Sequence, residues 1–224
     1  MRPFRYRDRH DAGLVLAREL LDYAGHPNAI VLALPRGGVP VGYEVALHLR
    51  VPLDVYVVRK LGVPGHEELA MGALAGDGTC VIDRRLIASV GISQQSFDSV
   101  IAREIAELRR RQIAYRDKRP ERELAQKRVI LVDDGLATGS SMHAAVAAVR
   151  SHKPAAIVVA VPVGALETCA SLQRVADRVV CPLQPEYFGA VGLYYDDFVQ
   201  LEDDEVRRLL ARAALLESNR WKAA

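Results

Sequence analysis

The stretch Val129-Ile-Leu-Val-Asp133-Asp134-Gly135-Leu136-Ala137-Thr138-Gly139-Ser140-Ser141-Met142 constrains this chain more than any other. Its apolar start reads as a strand buried on both faces, the kind found in parallel sheets covered by helices. Two adjacent carboxylates close that strand, and small residues open a helix predicted from Met142 to Arg150. Orphan N–H groups and hydroxyls at a helix N-terminus bind anions, because the unpaired donors and the macrodipole both favour negative charge. Carboxylates just ahead of that loop can accept hydrogen bonds from sugar hydroxyls. The unit is therefore suited to a phosphorylated sugar, held by its hydroxyls and its phosphate. It is not a Walker loop, since GxxxxGK[ST] is absent.

The remaining pattern repeats the same grammar. Strands are predicted at Ala29–Leu34, Leu53–Val58, Thr79–Ile82, Ala155–Val161 and Val179–Cys181. Helices are predicted at residues 11–24, Val39–Leu49, Leu166–Val175 and Asp203–Leu216. Alternating short apolar strands and helices indicate an α/β fold with a central parallel sheet flanked by helices and ligands at the strands' carboxyl ends. A length of 224 residues suits a single domain, 1–224. Residues 84–127 read as a helical insertion, with Phe97, Ile101, Ile105 and Leu108 on one stripe and a polar linker around Pro120. The Gly/Pro-punctuated segment Leu61–Gly78 reads as a loop.

Composition excludes several classes. The longest uncharged apolar run, Ala155–Leu166, has 12 residues, well short of the roughly 20 of a membrane span. The net charge of +2 demands neither nucleic acid nor a membrane. The N-terminal MRPFRYRDRHD lacks the apolar stretch of a secretory signal, and Cys80, Cys169 and Cys181 show no disulfide framework. The six histidines are scattered, without zinc-type spacing. The expected compartment is the cytoplasm.

Leu34-Pro35-Arg36-Gly37-Gly38 follows the first predicted strand. Glycines there let the backbone close on an anion, with the Arg36 guanidinium beside it as a bidentate donor. Arg59 and Lys60 end the second strand, either facing the same crevice or serving as solvated surface charge. Taken in order, ALPRGGVPVG, VVRKLGVPGHEELAMGAL and VILVDDGLATGSSM resemble the type I phosphoribosyltransferases over roughly residues 28–200. The likeness is nearest to a bacterial group whose acceptor is unassigned. It implies binding of 5-phosphoribosyl 1-diphosphate (PRPP) with Mg²⁺, transfer to a nucleobase-like nitrogen nucleophile, and release of diphosphate. It also implies a homodimer, and a strained or cis peptide in the 35–38 loop.

By that resemblance Asp133 and Asp134 hold the ribose hydroxyls, directly or through water on the metal. Ala137, Thr138, Gly139, Ser140 and Ser141 cradle the 5-phosphate. Arg36, Gly37, Gly38, Arg59 and Lys60 take the diphosphate, and 61–78 closes as a mobile catalytic loop. Where hypoxanthine–guanine enzymes carry an aspartate in the phosphate loop, this chain has Ala137, so the acceptor stays open. The aromatic cluster at 187–198 suggests a hood over 182–200, with Tyr187, Phe188 and Asp196 as acceptor contacts and Phe188 as the stacking ring. The same cluster equally suits a hydrophobic lid or a dimer contact. A different class of reading keeps the site and drops the reaction: a PRPP-binding regulator contacting nucleic acid through the Arg-rich 103–128 segment. The interspersed Glu104, Glu107, Glu121 and Glu123, with Tyr115 the single aromatic, disfavour a phosphate-tracking face.

Overall fold

The computed structural model describes residues 4–116 and 122–222. The first half runs α1 (Arg9–Arg18), β1 (Ala29–Ala33), α2 (Gly38–Leu49), β2 (Leu53–Val55), β3 (Val58–Val63), β4 (His66–Ala75) and β5 (Cys80–Ile82). It continues with α3 (Arg84–Val90), α4 (Gln94–Arg116), β6 (Arg128–Val132), α5 (Ser140–Ser151), β7 (Ala156–Ala160), α6 (Leu166–Leu172), β8 (Arg178–Val180) and α7 (Asp203–Lys222).

Five strands form one parallel sheet in the order β2-β1-β6-β7-β8. The register sets Ala33 beside Val132, and Val132 beside Ala160, so the carboxyl ends finish level. Alternation explains the unbroken apolar runs. Val31, Ala33, Ile130 and Val132 face Leu16, Val41, Val45 and Leu210 on one side. Ile30, Leu32, Val129 and Leu131 face Met142, Val146 and Leu172 on the other. Each such fully buried aliphatic side chain contributes about 1.5–3 kcal/mol. A polar residue on either face would therefore lose a layer.

The segment 61–78 departs from its reading as a mobile loop. β3, β4 and β5 form an antiparallel three-stranded sheet, and most of the segment is its first hairpin. Leu61, Val63 and Met71 are buried and join a core that includes Val100, Leu108 and Tyr115 of α4. That burial overrides the Gly/Pro punctuation, which marks the turn at Gly65 (φ 78) rather than a free loop. The predicted insertion is α3 and α4, and Phe97, Ile101 and Ile105 pack onto the same core. Pro120 and Glu121 lie outside the described residues.

The N-terminal segment closes over the strand ends together with residues 194–197. The Tyr6 N–H donates to the Tyr194 carbonyl at 2.9 Å, and the Asp196 N–H returns to the Tyr6 carbonyl at 2.9 Å. The candidate hood segment 182–200 is thus paired with the N-terminal segment.

Candidate active site

The sheet order creates the crevice. β1 leads through α2 to the outer strand β2, whereas β6 leads through α5 to β7 on the opposite side. The loops leaving β1 and β6 therefore diverge between two adjacent strands, which is where ligands bind in open α/β sheets. Arg36-Gly37-Gly38 lies in one loop and Asp133-Asp134 in the other. The Leu34 N–H donates to the Val132 carbonyl at 2.8 Å, so the loops start in contact. The Pro35–Arg36 peptide is cis.

Glycine is required by proximity here. A Cβ at Gly37 would fall 2.0 Å from Asp134 Oδ2, and one at Gly38 would fall 2.5 Å from the Val132 carbonyl oxygen. At Gly38 the obstacle is backbone and cannot yield cheaply, whereas at Gly37 a side chain would have to displace the Asp134 carboxylate.

The two acids are held differently. Asp133 Oδ1 accepts the Asp134 N–H at 2.9 Å. Burial, and then the neighbouring Asp134 charge, push the Asp133 carboxyl well above the usual carboxylate range. Burial also raises Asp134, opposed by Arg9, whose Nε–H donates to Oδ2 at 2.8 Å. The Tyr195 hydroxyl donates to the Asp134 carbonyl at 2.6 Å. Burial and the proximity of the two carboxyls therefore disfavour ionising both together.

Beyond the acids, Leu136 bridges to the strand-end segment after β7, its N–H donating to the Val163 carbonyl at 2.9 Å. Ala137 and Thr138 are exposed, and Gly139 takes φ 69 just before α5 begins at Ser140. A side chain at Gly139 would be strained by that φ and would also strike Thr168 Cγ2 at 2.4 Å. The Thr168 hydroxyl donates to the Ala137 carbonyl at 2.7 Å, so α6 braces the loop. Ala137, Thr138, Gly139, Ser140 and Ser141 thus stand at the N-terminus of α5.

Arg36 is one-third exposed and its Nη1 lies 3.8 Å from Asp203 Oδ1. The Tyr115 hydroxyl donates to the same Asp203 oxygen at 2.6 Å, tying α4 and α7 beside the Arg36 loop.

Other expected residues are not gathered. Arg59 and Lys60 lie inside β3, not at a strand end facing the sheet crevice, so adjacent side chains take opposite faces. Arg59 meets Glu104 of α4 at 2.7 Å, and Glu104 is 8% exposed. Lys60 shares its side with Val58, which packs on the cluster containing Met142 and Val146. The expectation that both face one crevice is corrected by the extra strand length. Tyr187 is 86% exposed. Phe188 stacks on Tyr194 at 5.6 Å and 22°, so one ring face is already covered. Asp196 sits 4.0 Å from Arg5, both exposed. The aromatics linked to the acids are instead Tyr195, through the Asp134 carbonyl, and Phe198, which lies under Arg9 with Cζ 3.9 Å from the ring centroid.

Arg9 went unforeseen because nothing in its neighbourhood marks it; it lies 125 positions from Asp134. Three arginines of the Arg-rich helix are held in ion pairs on the helix itself. Arg103 pairs with Glu104, and Arg110 and Arg111 pair with Glu107.

The fold and these loops define an α/β protein with a crevice at the sheet's switch point, between the Arg36 loop and the two acids. Residues 11–197 match the family model described as a phosphoribosyl transferase domain, and the chain belongs to that family. It is 43% identical over 208 residues to Rv0571c of Mycobacterium tuberculosis H37Rv, provisionally named a phosphoribosyl transferase, covering 93% of this chain and 47% of that protein. A counterpart in strain CDC 1551 matches equally. The chain therefore spans about half the length of these curated relatives. The crystal structure of TT1426 from Thermus thermophilus superposes with a TM-score of 0.86 at 41% identity, covering 93% of this chain and 99% of that one. No helix among the described residues is long and apolar enough to cross a membrane.

Proposed function

We propose that this chain transfers the phosphoribosyl group of PRPP to a nitrogen nucleophile of nucleobase type, releasing diphosphate. The observation that carries the reading is the contact of the Arg36-Gly37-Gly38 loop with Asp133-Asp134 at the switch point, beside the phosphate-type N-terminus of α5. Diphosphate, ribose and 5-phosphate then have adjoining places. In the reaction a nitrogen lone pair forms the bond to C1 as the bond from C1 to the diphosphate oxygen breaks. Positive charge gathers on the ribose and negative charge on the leaving group. The chain's contribution is positioning and stabilisation of the departing charge.

Asp133 and Asp134 orient the ribose hydroxyls. Ala137 to Ser141 anchor the 5-phosphate, and Arg36 with the Gly37 and Gly38 backbone receives diphosphate. Among the described residues no group of three or more His, Cys, Asp or Glu side chains gathers for a resident metal. Mg²⁺ keeps several waters and takes one or two carboxylates plus substrate phosphates. The Asp133–Asp134 pair suits that role, and the ion would neutralise charge on diphosphate. The same reading includes a cytoplasmic homodimer, for which sedimentation is the check.

The ion pairing of Arg103, Arg110 and Arg111 gives no support to a nucleic-acid-binding regulator. The test is diphosphate release from PRPP and Mg²⁺ across a panel of nucleobases. Release that depends on one base supports the transferase. PRPP binding without base-dependent release would leave a sensor.

A further inference from the structure

We propose that Arg9 is a positioning residue, which fixes the Asp134 carboxylate for the sugar. This rests on the transferase reading above and extends it to a residue outside every motif. Arg9 opens α1 and reaches across to the strand ends. Its Nε–H donates to Asp134 Oδ2 at 2.8 Å, and its Nη1–H donates to the Val199 carbonyl at 3.0 Å. Its Cζ stands 3.9 Å over the Phe198 ring. The Arg9 and Asp134 side chains are 11% and 15% exposed. A guanidinium withdrawn from water needs full pairing, and its planar fork accepts only a narrow range of partners. Three contacts from two segments, Asp134 on one side and Phe198-Val199 on the other, leave the side chain one place to be.

Asp134 is equally constrained. Its N–H donates to Asp133 Oδ1, and its carbonyl accepts from Tyr195. Gly37 lies so close that a Cβ there would be 2.0 Å from Oδ2. With Oδ2 held by Arg9, the direction of Oδ1 is fixed as well. Without Arg9 the carboxylate is free to rotate within the crevice. The same guanidinium also ties the 198–199 strap to the acid, so the hood and the sugar site form one rigid unit. Arg9 touches neither the proposed phosphate loop nor Arg36, so its influence should be confined to the ribose.

The experiment is calorimetric titration of ribose 5-phosphate with Mg²⁺ and, separately, of inorganic diphosphate without it, so that the ion the acids would hold takes no part in the control. The proteins are the wild type, Arg9→Lys, Arg9→Met, Asp134→Asn and the Arg9→Met/Asp134→Asn double variant. Loss of a charge-assisted hydrogen bond predicts about tenfold weaker ribose 5-phosphate binding by Arg9→Met. Diphosphate affinity should stay near the wild-type value. Arg9→Lys should recover part of the loss, and it carries the test if Arg9→Met does not fold. The double variant should bind no more weakly than Asp134→Asn alone. Equal losses for both ligands, additive losses in the double variant, or a lower melting temperature with unchanged affinity would overturn the proposal. A wild type that binds neither ligand would overturn the transferase reading and this inference together, whereas intact binding by every Arg9 variant would overturn the inference alone.

Discussion

Gly38→Ala measures how closely the two crevice loops touch. Its Cβ would lie 2.5 Å from the Val132 carbonyl oxygen and 2.8 Å from Asp133 Cα. Both obstacles are backbone, and that carbonyl already accepts the Leu34 N–H at 2.8 Å. Restoring normal contact, about 3.5 Å, means parting the ends of β1 and β6 by about 1 Å. Overpacking of this kind costs about 1–3 kcal/mol. Weakening the buried Leu34–Val132 hydrogen bond costs about 1–3 kcal/mol more. Alanine recovers about 1 kcal/mol of helix propensity at the start of α2. The net destabilisation is about 3 kcal/mol, or a fall in melting temperature of about 6–12 °C for a chain of this size. Gly37→Ala meets a different obstacle, the Asp134 carboxylate at 2.0 Å. A side-chain end can swing aside, but doing so breaks its pair with Arg9. That variant should keep more thermal stability than Gly38→Ala and lose more ribose 5-phosphate affinity. Thermal scanning with calorimetric titration separates the two. An unchanged melting temperature in Gly38→Ala would refute the close approach of the loops.

The remaining expectations follow from the same contacts. Asp133 is raised by burial and by the Asp134 charge. The folded protein therefore binds that proton more tightly than the unfolded chain, and its contribution, complete below about pH 4, is lost as pH rises through the raised value. Asp133→Asn should flatten this decline and melt higher than wild type near neutral pH without ligand; a lower melting point there would contradict the assignment. Arg36→Ala should lose about tenfold or more in diphosphate affinity while ribose 5-phosphate affinity changes little. Equal losses would mean that the loop is mainly structural. Phe188→Ala removes a ring pair worth about 0.5–1.5 kcal/mol beyond its buried area, so it should lower the melting temperature and spare PRPP binding. A raised acceptor KM without any thermal change would show that the ring faces the acceptor after all.

The residues themselves determine the local units of this protein. Strand β6, its two acids and the small-residue loop into α5 are legible because burial period, turn chemistry and helix start act over a few neighbouring positions. The same holds for β1 and the Arg36-Gly37-Gly38 loop. Tertiary structure decides what those units meet. The order β2-β1-β6-β7-β8 brings the two loops together, and a set of apolar strands does not encode which ones become neighbours. Arg59 and Lys60 look like a pair in sequence, yet β3 continues past them and sends them to opposite faces. Leu61–Gly78 looks like a free loop until α4 covers one face of its hairpin. Cys169 and Cys181, scattered in sequence, both approach Gly164, whose added Cβ would lie 2.9 and 3.3 Å from their sulfurs. Arg9 reaches Asp134 only because the chain's first segment lies along residues 194–197. Local periodicity depends on nearest neighbours, whereas such meetings depend on how whole faces are buried.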